Sequence, residues 1–182
     1  MMHPMVAAPT AQVIRFARSK DTAQTARRAT SPAIRVLVAD GHALVRAGFR
    51  LLLDGSGHIT VVAEAVDGED AVALAARLHP DVVLIDIDLP GLGAVEATRR
   101  IRSQSRAQVM VLTGSVTDER LSASLRAGAS GLLLKDTEPH ELPSAVKRLA
   151  RGEALLSPVF TRWLIDQFVA GFTGDPQVRP AS

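Results

Sequence analysis

Asp81–Gly91, DVVLIDIDLPG, decides how this chain folds. Val82, Val83, Leu84 and Ile85 are apolar at every position and run directly into a carboxylate, Asp86. A second acid, Asp88, and a Pro90-Gly91 turn follow. A run with no polar alternation suits a strand covered on both faces, as in a parallel sheet. An acid placed directly after it stands at the strand's carboxyl end, where open α/β sheets hold ligands. The pattern recurs: IRVLVAD ends at Asp40, VMVLT at Thr113 and GLLLK at Lys135. Two carboxylates, a hydroxyl and an ammonium therefore gather on one sheet edge, a set suited to a phosphoryl group and a hard metal ion.

The 182 residues suffice for one domain of ordinary size with tails. Hydrophobic residues are 47% of the chain and aromatics only 3%, so the core is built of Val, Leu, Ile and Ala. The absence of cysteine excludes disulfides, thiol chemistry and Cys-ligated zinc, and agrees with a reducing, cytoplasmic setting. Apolar runs are strand-sized, too short to span a membrane. An isoelectric point near 9.6 suggests nucleic acid, but the charge distribution argues otherwise. Residues 1–33 carry +4, from Arg15, Arg18, Lys20, Arg27 and Arg28 against Asp21, while residues 34–182 carry −2. The basicity belongs to the amino-terminal segment and not to the folded part.

Residues 1–33 lack sustained periodicity and read as a disordered basic extension, with a short amphipathic helix around Val13–Arg18 as the alternative. From Ile34 strands and helices alternate. Ile34–Asp40 is the first strand, followed by a helix over His42–Leu53 with Leu44, Val45, Gly48, Leu51 and Leu52 on its apolar face. Thr60–Ala65 is the second strand, and Asp67 caps a helix that Pro80 stops. Asp81–Asp86, a helix near Gly93–Arg102, and the strand Gln108–Thr113 come next. Thr117 is the expected cap of a helix closed by Gly128, and Gly131–Lys135 is the fifth strand. Thr137 is the expected cap of a helix reaching Arg151, with Pro143 awkward inside it. Five βα units in this order imply a right-handed, doubly wound, five-stranded parallel sheet of flavodoxin-like type over residues 34–152.

Residues 153–172 differ. Ser157-Pro158 opens a helix in which Val159, Phe160, Trp163, Leu164, Ile165, Phe168, Val169 and Phe172 cover most of the circumference. A helix apolar nearly all round needs more than one partner surface. Residues 173–182 read as a disordered tail.

Taken together, VLVAD-GHALVRAGFRLLL, PDVVLIDIDLPG, EATRRIR, VMVLTGS and AGASGLLLKD resemble the receiver domain of two-component response regulators, and GEALLSPVFTRWLIDQF resembles the linker of the NarL/FixJ type. The resemblance spans roughly Ile34–Phe168. It implies that Asp86 accepts a phosphoryl group from a sensor histidine kinase. It further implies that Asp40 helps hold Mg²⁺, that Thr113 is the switch hydroxyl, and that Lys135 is the phosphate-pairing lysine. Asp88 falls where the family offers a backbone carbonyl to the metal, and its side chain is a conceivable substitute ligand. On this reading Phe160, Trp163, Leu164 and Phe168 form a homodimer or docking surface, no direct DNA binding is expected of the chain, and it is not a turnover enzyme beyond removal of its own phosphate.

Three positions depart from that pattern. Gly41 stands where the family has a second, metal-ligating acid, which predicts weakened Mg²⁺ binding. Leu132 replaces the switch aromatic three residues before the lysine. The helix-turn-helix domain expected after the linker has no counterpart in the ten residues after Phe172. His42, beside Gly41, is a neighbour of the metal or, more ordinarily, a surface histidine. Two alternatives compete: a truncated NarL/FixJ-type transcription factor, and a phosphatase of the haloacid-dehalogenase type suggested by the DID at Asp86–Asp88.

Overall fold

The structure, a computed structural model, describes residues 32–115 and 119–173. All but residues 32–33 of the extension read over residues 1–33, its alternative helix at Val13–Arg18, the cap at Thr117 and the tail after Thr173 lie outside the described residues, as do the side chains of Phe168 and Phe172. In order, the elements are β1 (Ile34–Ala39), α1 (Ala43–Asp54), β2 (Ile59–Ala65), α2 (Gly68–Leu78), β3 (Val82–Asp86), α3 (Ala94–Gln104), β4 (Gln108–Thr113), α4 (Arg120–Arg126), β5 (Gly131–Leu134), α5 (Glu141–Ala150), β6 (Leu155–Leu156) and α6 (Pro158–Thr173). No helix among the described residues is long and apolar enough to cross a membrane.

The strands form one parallel sheet in the order β2-β1-β3-β4-β5-β6. Every residue of β3 is buried, as its unbroken apolar run requires. Alternate residues feed two cores. Leu37, Ala39, Val83 and Ile85 pack on one side with Ala71, Ala97, Ile101 and Leu121 of the helices. Val36, Val38, Val82 and Leu84 pack on the other with Leu53, Leu142, Val146 and Leu149. The order reverses between β1 and β3, which leaves a crevice at their carboxyl ends.

The sheet has six strands where five were expected. The sixth is only Leu155–Leu156, a segment too short to stand out by periodicity. Gly152, at φ +82°, turns the chain back after α5, and Leu155 N donates to Ser130 O at 3.0 Å. Gly131 permits this approach, since a Cβ there would meet Leu155 O at 2.8 Å.

Helix starts follow local chemistry where it is strong. Asp67 Oδ1 accepts from Asp70 N at 2.8 Å and caps α2, as expected. α5, however, begins at Glu141 and not after Thr137. Pro143 explains the shift: with this start it sits in the first turn, where its missing N–H forfeits no helical bond.

Two helices face differently from their sequence reading. In α1 the expected inward face points to solvent: Leu44 is 85% exposed and Leu51 77%. Leu53 is fully buried and Phe49 packs beside it, while Arg46 and Arg50 hold the same side to β2 through Glu64. In α6 the correction runs the other way. Phe160, expected on a docking surface, is fully buried in the core, and Trp163 is partly buried against it. Among the described side chains, Leu164, Ile165, Val159 and Val169 are the exposed large apolar residues of this helix.

Candidate functional site

Each strand that meets the crevice delivers one functional group. Asp40 follows β1 directly, Asp86 ends β3, Thr113 ends β4 and Lys135 follows β5. Asp40 and Asp86 are both 1% exposed, so the fold has taken two carboxylates out of water. That would be prohibitive for an unpaired pair of like charges. Lys135 supplies the compensation: its Nζ lies 2.8 Å from Asp40 Oδ2 and 2.8 Å from Asp86 Oδ2. A single ammonium bridges both acids.

The remaining oxygens are also engaged. Asp40 Oδ1 accepts from His42 N at 2.7 Å and lies 3.2 Å from His42 Nδ1. Asp86 Oδ1 accepts from Asp88 N at 3.2 Å. Burial pushes the Asp40 carboxyl up, but hydrogen bonds from Lys135 and His42, with the charge of the ammonium, outweigh it and hold the group below the usual carboxylate range. Burial likewise pushes Lys135 down, and the hydrogen bonds and charges of Asp40 and Asp86 outweigh that and hold its ammonium above its ordinary value. The pair is therefore charged throughout the neutral range.

Thr113 is fully buried, one residue beyond the Leu112 that pairs with Asp86. Its hydroxyl donates to Ser115 O at 3.0 Å and accepts from Ser115 N at 3.1 Å, so it is turned toward its own loop. Leu132 is fully buried in the core and pairs with Val111 of β4.

Asp88 points away from the acids. Its Oδ1 accepts from Arg120 Nη2 at 2.7 Å, while Arg120 Nη1 donates to Ile87 O at 3.1 Å. The side chain is 62% exposed and is not among the clustered ligand atoms, so the substitute-ligand reading of its carboxylate finds no support. The cluster that does form is Asp40, His42 and Asp86, each offering one ligand atom within 4.8 Å of the others. Two carboxylate oxygens and an imidazole nitrogen at that spread can close around one divalent ion. His42 thus keeps the exposure of a surface histidine, 76% for its side chain, while touching the pocket.

From the sequence, adjacency to Gly41 makes His42 a metal or phosphate neighbour or, more ordinarily, a surface histidine, and its contact with Asp40 is not visible there. Arg120 gave no signal at all, because nothing local shows that a helix start 32 residues downstream reaches Asp88. Gly41 offers no side chain to the pocket, and a Cβ there would stand 3.2 Å from Pro90 Cδ.

Residues 36–147 match the response regulator receiver domain family. The transcriptional regulatory protein YxjL of Bacillus subtilis is 42% identical over 135 residues, covering 74% of this chain and 62% of that protein. The nitrate/nitrite response regulator NarL of Escherichia coli is 37% identical over 127 residues, covering 69% of this chain and 59% of NarL. A two-component response regulator of the LuxR family from Aurantimonas sp. SI85-9A1 superposes with a TM-score of 0.70 at 34% identity, covering 76% of this chain and 99% of that one. The chain spans about three fifths of the length of these curated relatives. A buried acid pair under one lysine, on a 2-1-3-4-5 parallel sheet extended by β6, agrees with these matches and not with the phosphatase alternative. The chain belongs to the response regulator receiver domains of two-component signalling, of the NarL type.

Proposed function

We propose that Asp86 is the phospho-accepting residue of this receiver and that a sensor histidine kinase is its donor. The observation that supports this most is the Lys135 ammonium held 2.8 Å from both Asp40 and Asp86. It offsets carboxylate charge inside a buried pocket and supplies a cation where phosphoryl charge will arrive. An Asp86 carboxylate oxygen attacks the phosphorus of a phosphohistidine. The O–P bond forms as the P–N bond breaks, and the leaving imidazole keeps the electron pair and takes a proton from solvent. Such transfers depend on positioning and charge neutralisation more than on covalent help.

Lys135 then follows the new charge from Asp86 to a phosphoryl oxygen. Thr113 exchanges its bond to Ser115 for one to a second phosphoryl oxygen and draws Ser115 with it. Receiver domains generally bind Mg²⁺ through their acidic pocket; here Asp40 and Asp86, with the Asp88 carbonyl, would hold it, and when bound it offsets charge on the transferring group. Losing the acid at Gly41 weakens that binding by about an order of magnitude, roughly 1.4 kcal/mol. Leu132, already buried, offers little surface to swing, so coupling from the site to the surface is weak or runs through Thr113 and Ser115. The exposed apolar face of α6, with Leu164 at 37% and Ile165 at 53% exposure, is the surface for a second copy or another regulator.

Intact-mass measurement after incubation with a small-molecule phosphodonor and Mg²⁺ tests the assignment. One phosphoryl group is expected on the chain and none on Asp86→Asn. A phosphate that persists in the variant would place the acceptor elsewhere.

A further inference from the structure

The third side chain clustered at the pocket offers a nitrogen. With no side chain at Gly41, Asp40 and Asp86 supply oxygens, and among the described residues His42 Nδ1 is the third side-chain atom of the cluster, all within 4.8 Å of one another. Three features make this nitrogen available. His42 N is pinned to Asp40 Oδ1 at 2.7 Å, which fixes the backbone at the pocket's edge. The imidazole already lies 3.2 Å from the same oxygen. The residue stands at the N-cap of α1, where its side chain makes no capping bond, and is 76% exposed, so swinging inward breaks no packing. Lys135 occupies Oδ2 of both acids, and Asp40 Oδ1 is the carboxylate oxygen beside the imidazole.

The donor set decides the metal. Mg²⁺ favours an all-oxygen octahedron and gains little from an imidazole. First-row transition dications gain from nitrogen, in the order Mn²⁺ < Co²⁺ < Ni²⁺. Replacing a carboxylate by an imidazole also removes one negative charge, which costs a hard, charge-driven ion more than a borderline one. We infer that His42 takes the place of the missing acid, and that this pocket binds a first-row transition dication in preference to Mg²⁺. The inference rests on the Asp40–Asp86 pocket being the receiver's metal site; it does not require phosphoryl transfer.

The test is calorimetric titration of the full chain with CoCl₂ and with MgCl₂, without any phosphodonor. One Co²⁺ is expected to bind at least tenfold more tightly than Mg²⁺. His42→Ala should lower Co²⁺ affinity at least tenfold while moving Mg²⁺ affinity less than threefold, and Asp86→Asn should abolish the Co²⁺ site. Gly41→Asp should raise Mg²⁺ affinity and narrow the Co²⁺ preference, with Pro90 giving way by a few tenths of an ångström. Equal affinities for the two ions, or Co²⁺ binding unchanged in His42→Ala or in Asp86→Asn, would overturn the inference. Because no phosphate is involved, failure of Asp86 phosphorylation with this metal preference intact would count against the acceptor assignment alone.

Discussion

Helices α1 and α6 are both rich in apolar residues, yet the protein anchors them by opposite means. α6 is held by hydrocarbon: Phe160 is fully buried and Trp163 packs beside it, and neither makes an ion pair. α1 is held largely by charge. Arg46 donates to Glu64 and to the Asp40 carbonyl, and Arg50 donates to Glu64 and to the Val61 carbonyl, with Phe49 and Leu53 adding apolar contact to the core. Its larger stripe, Leu44 and Leu51, faces out. A helical stripe identifies a face that can be buried, and it does not say which partner buries it. Where a carboxylate on the adjacent strand offers two arginines a partner, the polar side turns in and the leucines are left for other contacts.

The largest consequence of that contrast lies in α6. Phe160→Ala removes an aromatic ring from a closed core and is expected to cost about 3–5 kcal/mol. Urea unfolding should show a lower midpoint with an unchanged slope. A loss near zero would mean that α6 is not docked through this ring, and the contrast with α1 would collapse.

What could be read in advance follows the same division. The pocket was legible because each of its groups sits at the end of an apolar strand, so local pattern and parallel topology together place Asp40, Asp86, Thr113 and Lys135. The Asp67 cap and the stop before Pro80 were legible for the same reason: one residue and its neighbours settle them. Contacts that join distant segments were not. Arg120 on Asp88, Leu155 against Gly131 and Arg50 on Glu64 each depend on two stretches meeting in space. Phe160 is the plainest case: its position on an all-round apolar helix gave no reason to prefer core over surface.

The anchoring of α1 gives a smaller, pH-dependent effect. Hydrogen bonding from Arg50 holds the Glu64 carboxyl below its ordinary value of 4.5, against the upward push of burial and with Arg46 assisting. The lowered group contributes stability that is fully present above pH 4.5 and is lost as the pH falls through the lower folded value. Glu64→Gln is therefore expected to cost about 1 kcal/mol near neutrality, discounted for the exposure of Arg50. The gap between wild type and variant should stay level from about pH 6 to 8 and close below about pH 4. A gap independent of pH would mean that shape, and not charge, seats this helix.

The smallest effect is the most diagnostic of facing. Leu51 is 77% exposed, so Leu51→Ala removes almost no buried surface and should change unfolding free energy by no more than about 0.5 kcal/mol. Two residues on, Leu53 has no exposure at all. The two stand about 200° apart around the helix, so turning it by about half a turn would exchange these environments. A cost of about 2 kcal/mol or more at Leu51, the range of a buried leucine, would show that the leucine stripe is the inner face and that the arginines do not orient α1.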